Sequence, residues 1–297
     1  MDPRTTVVVI TRDRRDELLH TLDRLADLPE RPRVLVVDNA SGDGTAEAVR
    51  LHHPGVELLP APGNLGAVGR NHAVRHVTTR YVAFCDDDTW WEPGALARAA
   101  DLLDGCPSAA SVTGRILVEP GGREDPIVPE LRHSPVPAPP GLPGPALLGI
   151  LAGASLLRVS AFRAVGGFSP RLWLGGEEEL LSLDLAAAGH HLLYADDVVV
   201  HHRPSPRRDR PRRLSLGIRN TLWTAWLRRP VPAALRRTGR LLGDVPARPA
   251  TLRGLAEAVA GLPWVLRERR PVPAEVERGL VLLEAPQKRS RARRYVQ

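Results

Sequence analysis

The chain has 297 residues, of which 43% are hydrophobic and 25% are charged. This composition is typical of a globular protein with a buried core, and it excludes a disordered, collagenous or fibrous chain. The length fits one large α/β domain or two smaller ones. Two cysteines, Cys85 and Cys106, are too few for a disulfide framework, and no Cys/His cluster has the spacing of a zinc site.

No segment resembles a targeting signal or a membrane span. The N-terminal sequence MDPRTTVVVI lacks a basic region followed by a long apolar stretch. The longest apolar run, 146–157, is shorter than the roughly 20 residues that cross a bilayer. We therefore expect a cytoplasmic enzyme.

The net charge of +7 hides an asymmetry along the chain. Residues 1–200 carry 18 Arg and 27 Asp or Glu, a net charge of −9, whereas residues 201–297 carry a net charge of +16. A strongly basic C-terminal part indicates contact with an anion, such as nucleic acid, an anionic membrane surface or a phosphorylated substrate.

The first 90 residues alternate between β-branched runs and helical patterns. The runs predict strands at 5–10, 33–38, 56–60 and 80–85, and the intervening segments predict helices at 13–28, after the turn 39–45, and at 65–76. This alternation indicates βαβ units and a mostly parallel sheet flanked by helices.

The remaining chain continues this pattern and then changes character. A helix is predicted at 93–103, strands at 109–119 and 147–158, a helix at 177–188 and a strand at 191–200. Residues 119–145 are rich in proline and predict a surface loop, either a lid or a linker. After Pro204, Arg-rich helices are broken at Pro230, Pro246 and Pro263. We therefore divide the chain into an α/β part (1–203), a helical basic extension (204–287) and a disordered tail (288–297).

Polar residues follow several of the predicted strands. Ligands of open α/β sheets bind at the carboxyl ends of strands, and those ends here carry Thr11, Arg12, Asp38 and Asp86–Asp88. Consecutive carboxylates repel one another unless a cation lies among them, and Mg²⁺ or Mn²⁺ commonly binds one or two carboxylates plus substrate phosphates. The alternative is that the aspartates cap the next helix, although one cap needs only one Asp.

A glycine-rich segment, PGNLGAVGRN at 62–71, lies at a predicted strand-to-helix turn. Its glycines let the backbone approach a ligand closely, and a helix N-terminus favours anions. Turns of this kind are also common in proteins that bind no such ligand. Arg70 is either a diphosphate contact or an exposed helical arginine.

Three glutamates, Glu177–Glu179, open a predicted helix after two glycines. Negative charge is favourable at a helix N-terminus, so one interpretation is simply a charged helix start. The other is a general base, because a carboxylate beside an acceptor hydroxyl can take its proton during attack. Trp173, just before, can stack on a sugar ring or be partly buried.

In this order the motifs resemble those of family 2 glycosyltransferases, which have the α/β GT-A (Rossmann-like) nucleotide-sugar fold. The resemblance covers about residues 5–203 and is carried by VVVITRDRRDELLHTLDRL (7–25), VLVVDNASGDGT (34–45), GNLGAVGRN (63–71), YVAFCDDD (81–88), GASLLRVSAFRAVGGF (153–168) and GGEEELLSLDLAAAG (175–189). It implies a nucleotide-sugar-binding half (1–118) and an acceptor and base half (146–203), separated by the proline-rich loop.

The resemblance implies a set of donor contacts. Asp38 matches the acid that hydrogen-bonds the nucleotide base, and Thr11 and Arg12 match the loop beside the base and ribose. The full implied donor set is Thr11, Arg12, Asp38, Asn64, Gly66, Arg70, Asp86 and Asp87.

The resemblance also implies a site for Mn²⁺ or Mg²⁺. Asp88 matches the direct ligand, and Asp86 matches a position near the ribose or a metal-bound water. His201 matches a histidine that completes the metal site in some members, and the adjacent His202 is the competing candidate.

The family's catalytic base comes from a Gly-Glu-Asp segment, whose Asp falls on Glu178 here. Glu is one methylene longer than Asp, so Glu177 stays a second candidate. Leu180 and Asp184 stand where members often have Asp and Arg. Trp173 and Gly176 are placed on the acceptor side.

The implied reaction is a single displacement with inversion. A sugar would move from a UDP- or dTDP-linked donor to the hydroxyl of an acceptor, either a cell-envelope glycan, a lipid-linked molecule or a secondary metabolite. The metal and Arg70 would neutralise charge on the leaving diphosphate.

The basic extension has an apolar helical face formed by Leu216, Trp223, Trp226 and Leu227. A helix of this type can lie in a lipid headgroup layer, which would make the protein peripheral at the inner face of the membrane. The alternative is that the face packs onto the catalytic part. Self-association stays open.

Two other functions are alternatives to glycosyl transfer. A sugar-phosphate nucleotidyltransferase usually carries a Gly-rich signature after its first strand, whereas TRDRRDE stands here. A nucleic-acid-binding protein would use the basic extension but would leave the acidic strand ends unexplained. No nucleic-acid-binding motif is present in the extension, so we expect no nucleic-acid partner.

Overall fold

The computed structural model describes residues 3–205 and 210–290. Within them a ten-stranded sheet has the order β3-β2-β1-β4-β9-β6-β10-β5, with β7 paired to β6 and β8 paired to β10. The strands are β1 (Thr5–Thr11), β2 (Arg33–Asp38), β3 (Glu57–Pro60), β4 (Tyr81–Asp86), β5 (Thr89–Trp91), β6 (Ala109–Val118), β7 (Arg123–Glu124), β8 (Ala146–Leu147), β9 (Ser155–Arg158) and β10 (His191–His202).

Helices cover the sheet and form most of the C-terminal part. They are α1 (Arg15–Ala26), α2 (Thr45–His52), α3 (Gly69–Val74), α4 (Ala95–Gly105), α5 (Val128–Arg132), α6 (Val159–Ala164), α7 (Glu177–Ala187), α8 (Arg210–Arg228), α9 (Val231–Asp244), α10 (Pro249–Ala260), α11 (Leu262–Arg267) and α12 (Ala274–Arg289). Short 3₁₀ turns lie at Gly66–Val68 and Ala152–Ala154.

The central strands are apolar because helices cover both faces of the sheet. β1 pairs in parallel with β2 and with β4, and the three strands are almost entirely buried. This register places Thr11 opposite Asp38 and Ile10 opposite Asp86. The polar residues at the three strand ends therefore meet at one edge of the sheet.

The sheet is mixed beyond this parallel core. β9 runs antiparallel to both β4 and β6, whereas β10 is parallel to β6 and antiparallel to β5. The predicted α/β fold, with a sheet flanked by helices and a helical C-terminal extension, is confirmed.

The prediction of one buried strand at 147–158 was wrong. β8 ends at Leu147, and β9 begins only at Ser155. The segment between them is buried or half-buried, and it contains the 3₁₀ turn Ala152–Ala154. A side chain at Gly153 would meet Oδ2 of Asp86 at 2.9 Å, so a straight, substituted strand does not fit there.

The proline-rich segment 119–145 contains β7 and α5 and is attached to β6 and β10. Arg132 of α5 pairs with Glu124 of β7 at 2.5 Å and with Asp196 of β10 at 2.6 Å. These contacts anchor the first half of the segment to β10.

The extension forms a second apolar core against the α/β part. Its helices end before Pro230 and Pro246, as predicted, and α11 begins beside Pro263. Leu172 and Leu180, from the segment around the three glutamates, pack in this core. The other buried members are Ile218, Leu222, Trp223, Leu227, Ala258 and Val265.

The apolar face of α8, which was one candidate for contact with a membrane, is largely buried by this packing. Trp223 is 8% exposed and donates its indole N–H to the carbonyl of Ala258, and Leu227 is 2% exposed. Trp226 donates to Oγ1 of Thr238 at 3.1 Å. Within the described ranges, no helix is both long and apolar enough to span a membrane.

Arginines of the extension form ion pairs with carboxylates, several of them in the α/β part. Arg228 binds both oxygens of Asp184, and Arg237 pairs with Glu179 at 3.1 Å. Arg229 is 3% exposed and pairs with Glu277 and Glu284 of α12. Ion pairs therefore join the basic extension to the acidic α/β part. The sequence motifs could not show this.

Of the tail predicted at 288–297, the first two residues belong to α12 and Ser290 follows it. The remaining residues, 291–297, lie outside the described part of the chain.

Candidate active site

The strand ends of the parallel core form the first wall of the site. Oγ1 of Thr11 donates to Oδ2 of Asp87 at 3.0 Å, and both residues are buried. Asp38 is 6% exposed, and its Oδ1 accepts the backbone N–H of Ser41 at 3.0 Å. Arg12 is exposed and reaches the carbonyl of Asn39. The sequence-predicted residues Thr11, Asp38 and Asp87 are therefore neighbours.

Arg14 is a residue of this wall that the sequence analysis missed. Its guanidinium pairs with Asp87 and, at 2.8 Å, with Oδ2 of Asp88. Burial raises the pKa of Asp87 to about 7, against the opposing effect of Arg14, and the adjacent Asp88 and Asp86 add to the rise. Arg14 thus balances part of the negative charge of the aspartates.

Asp86 has a different partner, Arg70 of α3. The two side chains form an ion pair, and Arg70 is only 3% exposed. The guanidinium carbon lies 5.8 Å from the ring centre of Phe84 and 5.7 Å from that of Phe168. Arg70 is therefore a buried cation aimed at the strand ends, and the interpretation of an exposed helical arginine is wrong.

The aspartates do not cap a helix. They lead directly into β5, and the next helix, α4, begins after Gly94 without a side-chain cap. The helix-cap interpretation is therefore wrong.

The histidine assignment requires a correction. Successive side chains of a strand point to opposite faces, and His201 points away from the aspartates. It bonds Glu119 at 3.0 Å and stacks on Trp90 with ring centres 5.4 Å apart. Nε2 of its neighbour His202 lies 3.8 Å from Oδ1 of Asp88. The structure favours His202, not His201, beside the predicted metal ligand.

Asp88 and His202 offer a carboxylate and an imidazole, which are donor types that divalent cations take in proteins. Among the described residues no group of three or more His, Cys, Asp or Glu forms a metal site. Their 3.8 Å separation exceeds a hydrogen bond, so the two side chains lie side by side without bonding each other. Mg²⁺ commonly keeps few protein ligands and takes the rest from water and phosphates. Asp86, the other aspartate of the predicted metal site, is paired with Arg70.

The glycine-rich loop is hydrogen-bonded to Trp173. The indole N–H of Trp173 donates to the carbonyl of Asn64 at 3.0 Å, and its own carbonyl accepts the N–H of Ala67 at 2.9 Å. A Cβ at Gly66, where φ is +60°, would lie 2.5 Å from that carbonyl. Gly66 is therefore needed for this close approach, and Trp173 is partly buried by the loop.

The three glutamates at the start of α7 point to three different environments. Glu177 is 5% exposed, and its Oε2 has no hydrogen-bond partner among the described residues. Oε1 of the half-buried Glu178 accepts the backbone N–H of Ala152 at 2.5 Å. Glu179 pairs with Arg237 of α9. A charged helix start alone does not account for a buried carboxylate such as Glu177.

Electrostatics favours a protonatable pair at this helix start. Burial raises the pKa of Glu177. Burial, together with the nearby Glu177 carboxylate, raises the pKa of Glu178. Arg70 opposes both rises, and Asp86 adds to them, so the glutamates and the strand ends share one electrostatic environment.

The 3₁₀ turn at Ala152–Ala154 joins the glutamates to the aspartates. Ala152 donates to Glu178, and the next residue, Gly153, faces Oδ2 of Asp86. The site therefore has carboxylates on both sides of one short turn, with the buried Arg70 beside them.

Most of this site lies in a segment of the chain that matches a protein-family model. The model of Glycosyl transferase family 2 matches residues 6–166, which include all three strand ends and the aspartates.

The chain belongs to this family.

Named relatives are also glycosyltransferases. The chain is 29% identical over 275 residues to the N-acetylglucosaminyl-diphospho-decaprenol L-rhamnosyltransferase of Mycobacterium tuberculosis (strain H37Rv), an alignment that covers 77% of this chain and 88% of the relative. It is 32% identical over 212 residues to the pre-mycofactocin glycosyltransferase of the same strain, covering 66% of this chain and 42% of the relative. The protein is a glycosyltransferase.

Solved structures share the fold. S. aureus TarS 1-349 has a TM-score of 0.61 and 15% identity, with 100% of this chain and 89% of that chain covered. The mannosyltransferase PcManGT from Pyrobaculum calidifontis, in complex with GDP-Man and Mn²⁺, has a TM-score of 0.59 and 23% identity, with 96% and 76% covered.

A second missed residue of this glycosyltransferase, Asn220, lies in α8. It is fully buried, and its Nδ2 donates to the carbonyls of Leu172 at 2.9 Å, Leu174 at 3.1 Å and Gly175. A Cβ at Gly176, where φ is +85°, would lie 3.1 Å from Cβ of Asn220. The extension therefore holds the loop that leads into Glu177, and Gly176 is a packing position of that loop.

Proposed function

We propose that the protein is a metal-dependent, inverting glycosyltransferase that moves a sugar from a UDP- or dTDP-linked donor to an acceptor hydroxyl. The observation that carries the proposal is the arrangement around the turn Ala152–Ala154, where Glu178 lies on one side and Asp86 with Arg70 on the other. A transferase needs a proton acceptor for the attacking hydroxyl and a cationic site for the departing diphosphate.

The donor would bind at the strand ends. Asp38 would accept a hydrogen bond from the nucleotide base, and Thr11 with Arg12 would lie beside the base and ribose. Asn64 and Gly66 belong to the loop fastened to Trp173, so this wall is held in place before a donor arrives. The buried Arg70 would exchange part of its interaction with Asp86 for the donor diphosphate.

Asp88 and His202 would hold Mn²⁺ or Mg²⁺, which when bound would neutralise charge on the leaving nucleoside diphosphate. Arg14 keeps the carboxylate of Asp88 fixed through its 2.8 Å contact. A fixed ligand needs less reorganisation when the cation binds, which supports this role for Arg14.

Glu178 would deprotonate the acceptor hydroxyl. Its Oε1 is fixed by Ala152, which leaves Oε2 for the acceptor, and the side chain is half-buried, not sealed. Its raised pKa makes it a stronger base than an exposed glutamate. Attack from the side opposite the leaving group gives inversion in one displacement, with no covalent enzyme intermediate.

For the acceptor we favour a lipid-linked molecule. The rhamnosyltransferase aligned over 88% of its length is named for a diphospho-decaprenol acceptor. A basic extension beside the site is consistent with an acceptor that carries phosphate and is presented at an anionic surface.

Peripheral membrane contact would involve α9 and not the tryptophans of α8. Val231, Leu235 and Leu242 are 49%, 55% and 51% exposed and lie within about 40° of one another around the helix. Arg236 is exposed on the same helix. An apolar stripe with neighbouring arginine suits the surface of an anionic bilayer.

Donor hydrolysis tests the proposal without knowledge of the acceptor. Purified full-length protein would be incubated with UDP- and dTDP-sugars, with Mn²⁺, with Mg²⁺ or with EDTA, and release of the nucleoside diphosphate would be followed by chromatography. We expect slow, metal-dependent release from one donor. Release of pyrophosphate or of a nucleoside monophosphate instead would contradict glycosyl transfer.

A further inference from the structure

Trp173, in the loop before α7, has an unusual backbone conformation. Its φ is +62°, in the left-handed region that bulky side chains rarely adopt. Such a conformation costs free energy and persists only where the surrounding structure holds it. The ring is held from the extension as well, since the guanidinium carbon of Arg212 in α8 lies 4.3 Å from its centre. The strain therefore indicates a functional constraint on Trp173.

The backbone and the side chain of Trp173 both contact the glycine-rich loop. The carbonyl of Trp173 accepts the N–H of Ala67 at 2.9 Å, and the indole N–H donates to the carbonyl of Asn64 at 3.0 Å. Between these two contacts, a Cβ at Gly66 would lie 2.5 Å from the same carbonyl and 2.9 Å from the ring. Trp173 therefore holds the loop at three positions.

The contact with Ala67 extends to Arg70. The carbonyl of Ala67 accepts an N–H of the Arg70 guanidinium at 3.4 Å, while the N–H of Ala67 donates to Trp173. Ala67 thus links Trp173 to the buried cation that pairs with Asp86. A shift of Ala67 would move a hydrogen-bond acceptor away from the group that we assign to the donor diphosphate.

A second contact joins the same two parts of the chain at Asn71. Its Nδ2 donates to the carbonyl of Phe168 at 2.7 Å, and its Oδ1 accepts the N–H of Phe168 at 3.0 Å. The ring of Phe168 in turn lies 5.7 Å from the guanidinium carbon of Arg70. The segment 168–173 is therefore bonded to the chain on both sides of Arg70, at Ala67 and at Asn71.

Arg70 keeps one N–H that the described residues do not use. Its Nε is buried and has no hydrogen-bond partner among residues 3–205 and 210–290. Buried N–H groups normally have a partner. This unused donor is consistent with a cation that completes its hydrogen bonds when an anion binds, and such a group needs its position fixed by its neighbours.

We propose that Trp173 is a positioning residue of the donor site, which holds Ala67 and thereby sets the position of the Arg70 guanidinium for the nucleoside diphosphate. This inference rests on the proposed glycosyl transfer. It moves Trp173 from the acceptor side, where the family resemblance places it, to the donor side. An acceptor contact would leave nucleotide binding independent of Trp173.

Calorimetry with UDP and with dTDP, each in Mn²⁺, tests this role in the full-length protein. The test variant is Trp173→Phe, which keeps a ring and removes the indole N–H bonded to Asn64. The matched control is Trp226→Phe, which loses an indole N–H bonded to Thr238 within the extension. We expect the nucleotide that binds the wild type to bind Trp173→Phe about fivefold more weakly and to bind the control equally well.

Unchanged nucleotide affinity in Trp173→Phe would overturn the proposal, as would an equal loss in Trp226→Phe. Thermal unfolding of each variant gives a temperature at which all of them are folded, and binding is compared there. A lower melting temperature alone therefore does not imitate the expected result.

A double-mutant cycle separates an effect through Arg70 from a general effect on the fold. Arg70→Lys keeps the positive charge and loses the planar guanidinium geometry. If Trp173 acts through Arg70, Trp173→Phe should lower nucleotide affinity by no more than about twofold in the Arg70→Lys background. The same fivefold loss in both backgrounds would mean independent roles and would overturn the proposal.

The two proposals fail in different ways. Absence of both UDP and dTDP binding in the wild type would remove the donor site, and this inference with it. Metal-dependent nucleotide binding that is the same in the wild type and Trp173→Phe would remove the role of Trp173 and leave the donor site intact.

Discussion

The backbone N–H of Ala152 donates a hydrogen bond of 2.5 Å to Oε1 of Glu178. The next residue, Gly153, has no room for a side chain because Asp86 lies against it. One short turn therefore fixes the distance between the proposed base and the donor side, and small displacements of a reacting group cost much of the rate.

Replacement of the proposed base should reduce catalysis and spare binding. We expect Glu178→Gln to bind the nucleoside diphosphate like the wild type and to turn over donor about 100-fold more slowly or worse, the usual lower limit for a lost general base. Glu177→Gln is the matched variant and should retain more activity, because Glu177 is buried and Glu178 is half-buried. The opposite order of the two variants would make Glu177 the base.

The buried Glu177 should make stability depend on pH. Its pKa is raised by burial in the folded state, so the folded chain keeps a proton that the unfolded chain releases. The free energy of unfolding therefore falls as pH rises from the unfolded pKa through the folded one. Glu177→Gln lacks this titrating group. The melting temperature of the variant minus that of the wild type should therefore be larger at pH 9 than at pH 5.

Glu179→Gln is the control for this experiment, since Glu179 pairs with Arg237. It should show no such relative gain at pH 9. A melting-temperature difference for Glu177→Gln that is the same at both pH values would contradict the buried, proton-binding state of Glu177.

Asn220 should stabilise both the fold and the loop before α7. Asn220→Ala leaves the carbonyls of Leu172 and Leu174 without this donor, at a cost of about 1–3 kcal/mol in the free energy of unfolding. Donor turnover should fall as well, because the loop positions Glu177 and Glu178.

Thr224→Ala offers a control one turn further along α8. Thr224 is 1% exposed, and its hydroxyl has no hydrogen-bond partner among the described residues. Chemical denaturation should show a smaller loss in the free energy of unfolding for Thr224→Ala than for Asn220→Ala. Donor turnover should be unchanged in Thr224→Ala. Equal effects of the two substitutions on turnover would show that Asn220 does not position the loop.

The sequence predicted the parts of the site that depend on local pattern. β-branched runs predict β1, β2 and β4, and their parallel register brings Thr11, Asp38 and Asp86–Asp88 to one edge of the sheet. The resemblance to family 2 glycosyltransferases is confirmed by the match over residues 6–166.

Other features depend on contacts that local pattern does not contain. The side on which His201 or His202 lies follows from the register of β10 with β5, which pairs His201 with Trp90. Arg14 stood among 41 basic residues with nothing to distinguish it before its pairing with Asp87 and Asp88 was known. The role of Asn220 depends on carbonyls 45 to 48 residues away.

The exposed stripe on α9 should be needed for any contact with a membrane. We expect the wild type to co-sediment with phosphatidylglycerol vesicles and Leu235→Ser to do so less, because a polar side chain would replace a leucine that is 55% exposed. Leu51→Ser, at a position that is 75% exposed on α2, should sediment like the wild type. Equal sedimentation of both variants would remove α9 as the contact.

Metal-dependent binding of the donor nucleotide tests the central proposal most directly. UDP and dTDP would be titrated by calorimetry into wild type and Asp88→Asn, each with Mn²⁺ and with EDTA. We expect the wild type to bind one of the two nucleotides only with Mn²⁺, and Asp88→Asn to lose this metal-dependent binding. Binding of equal affinity in both proteins, with and without metal, would contradict the account.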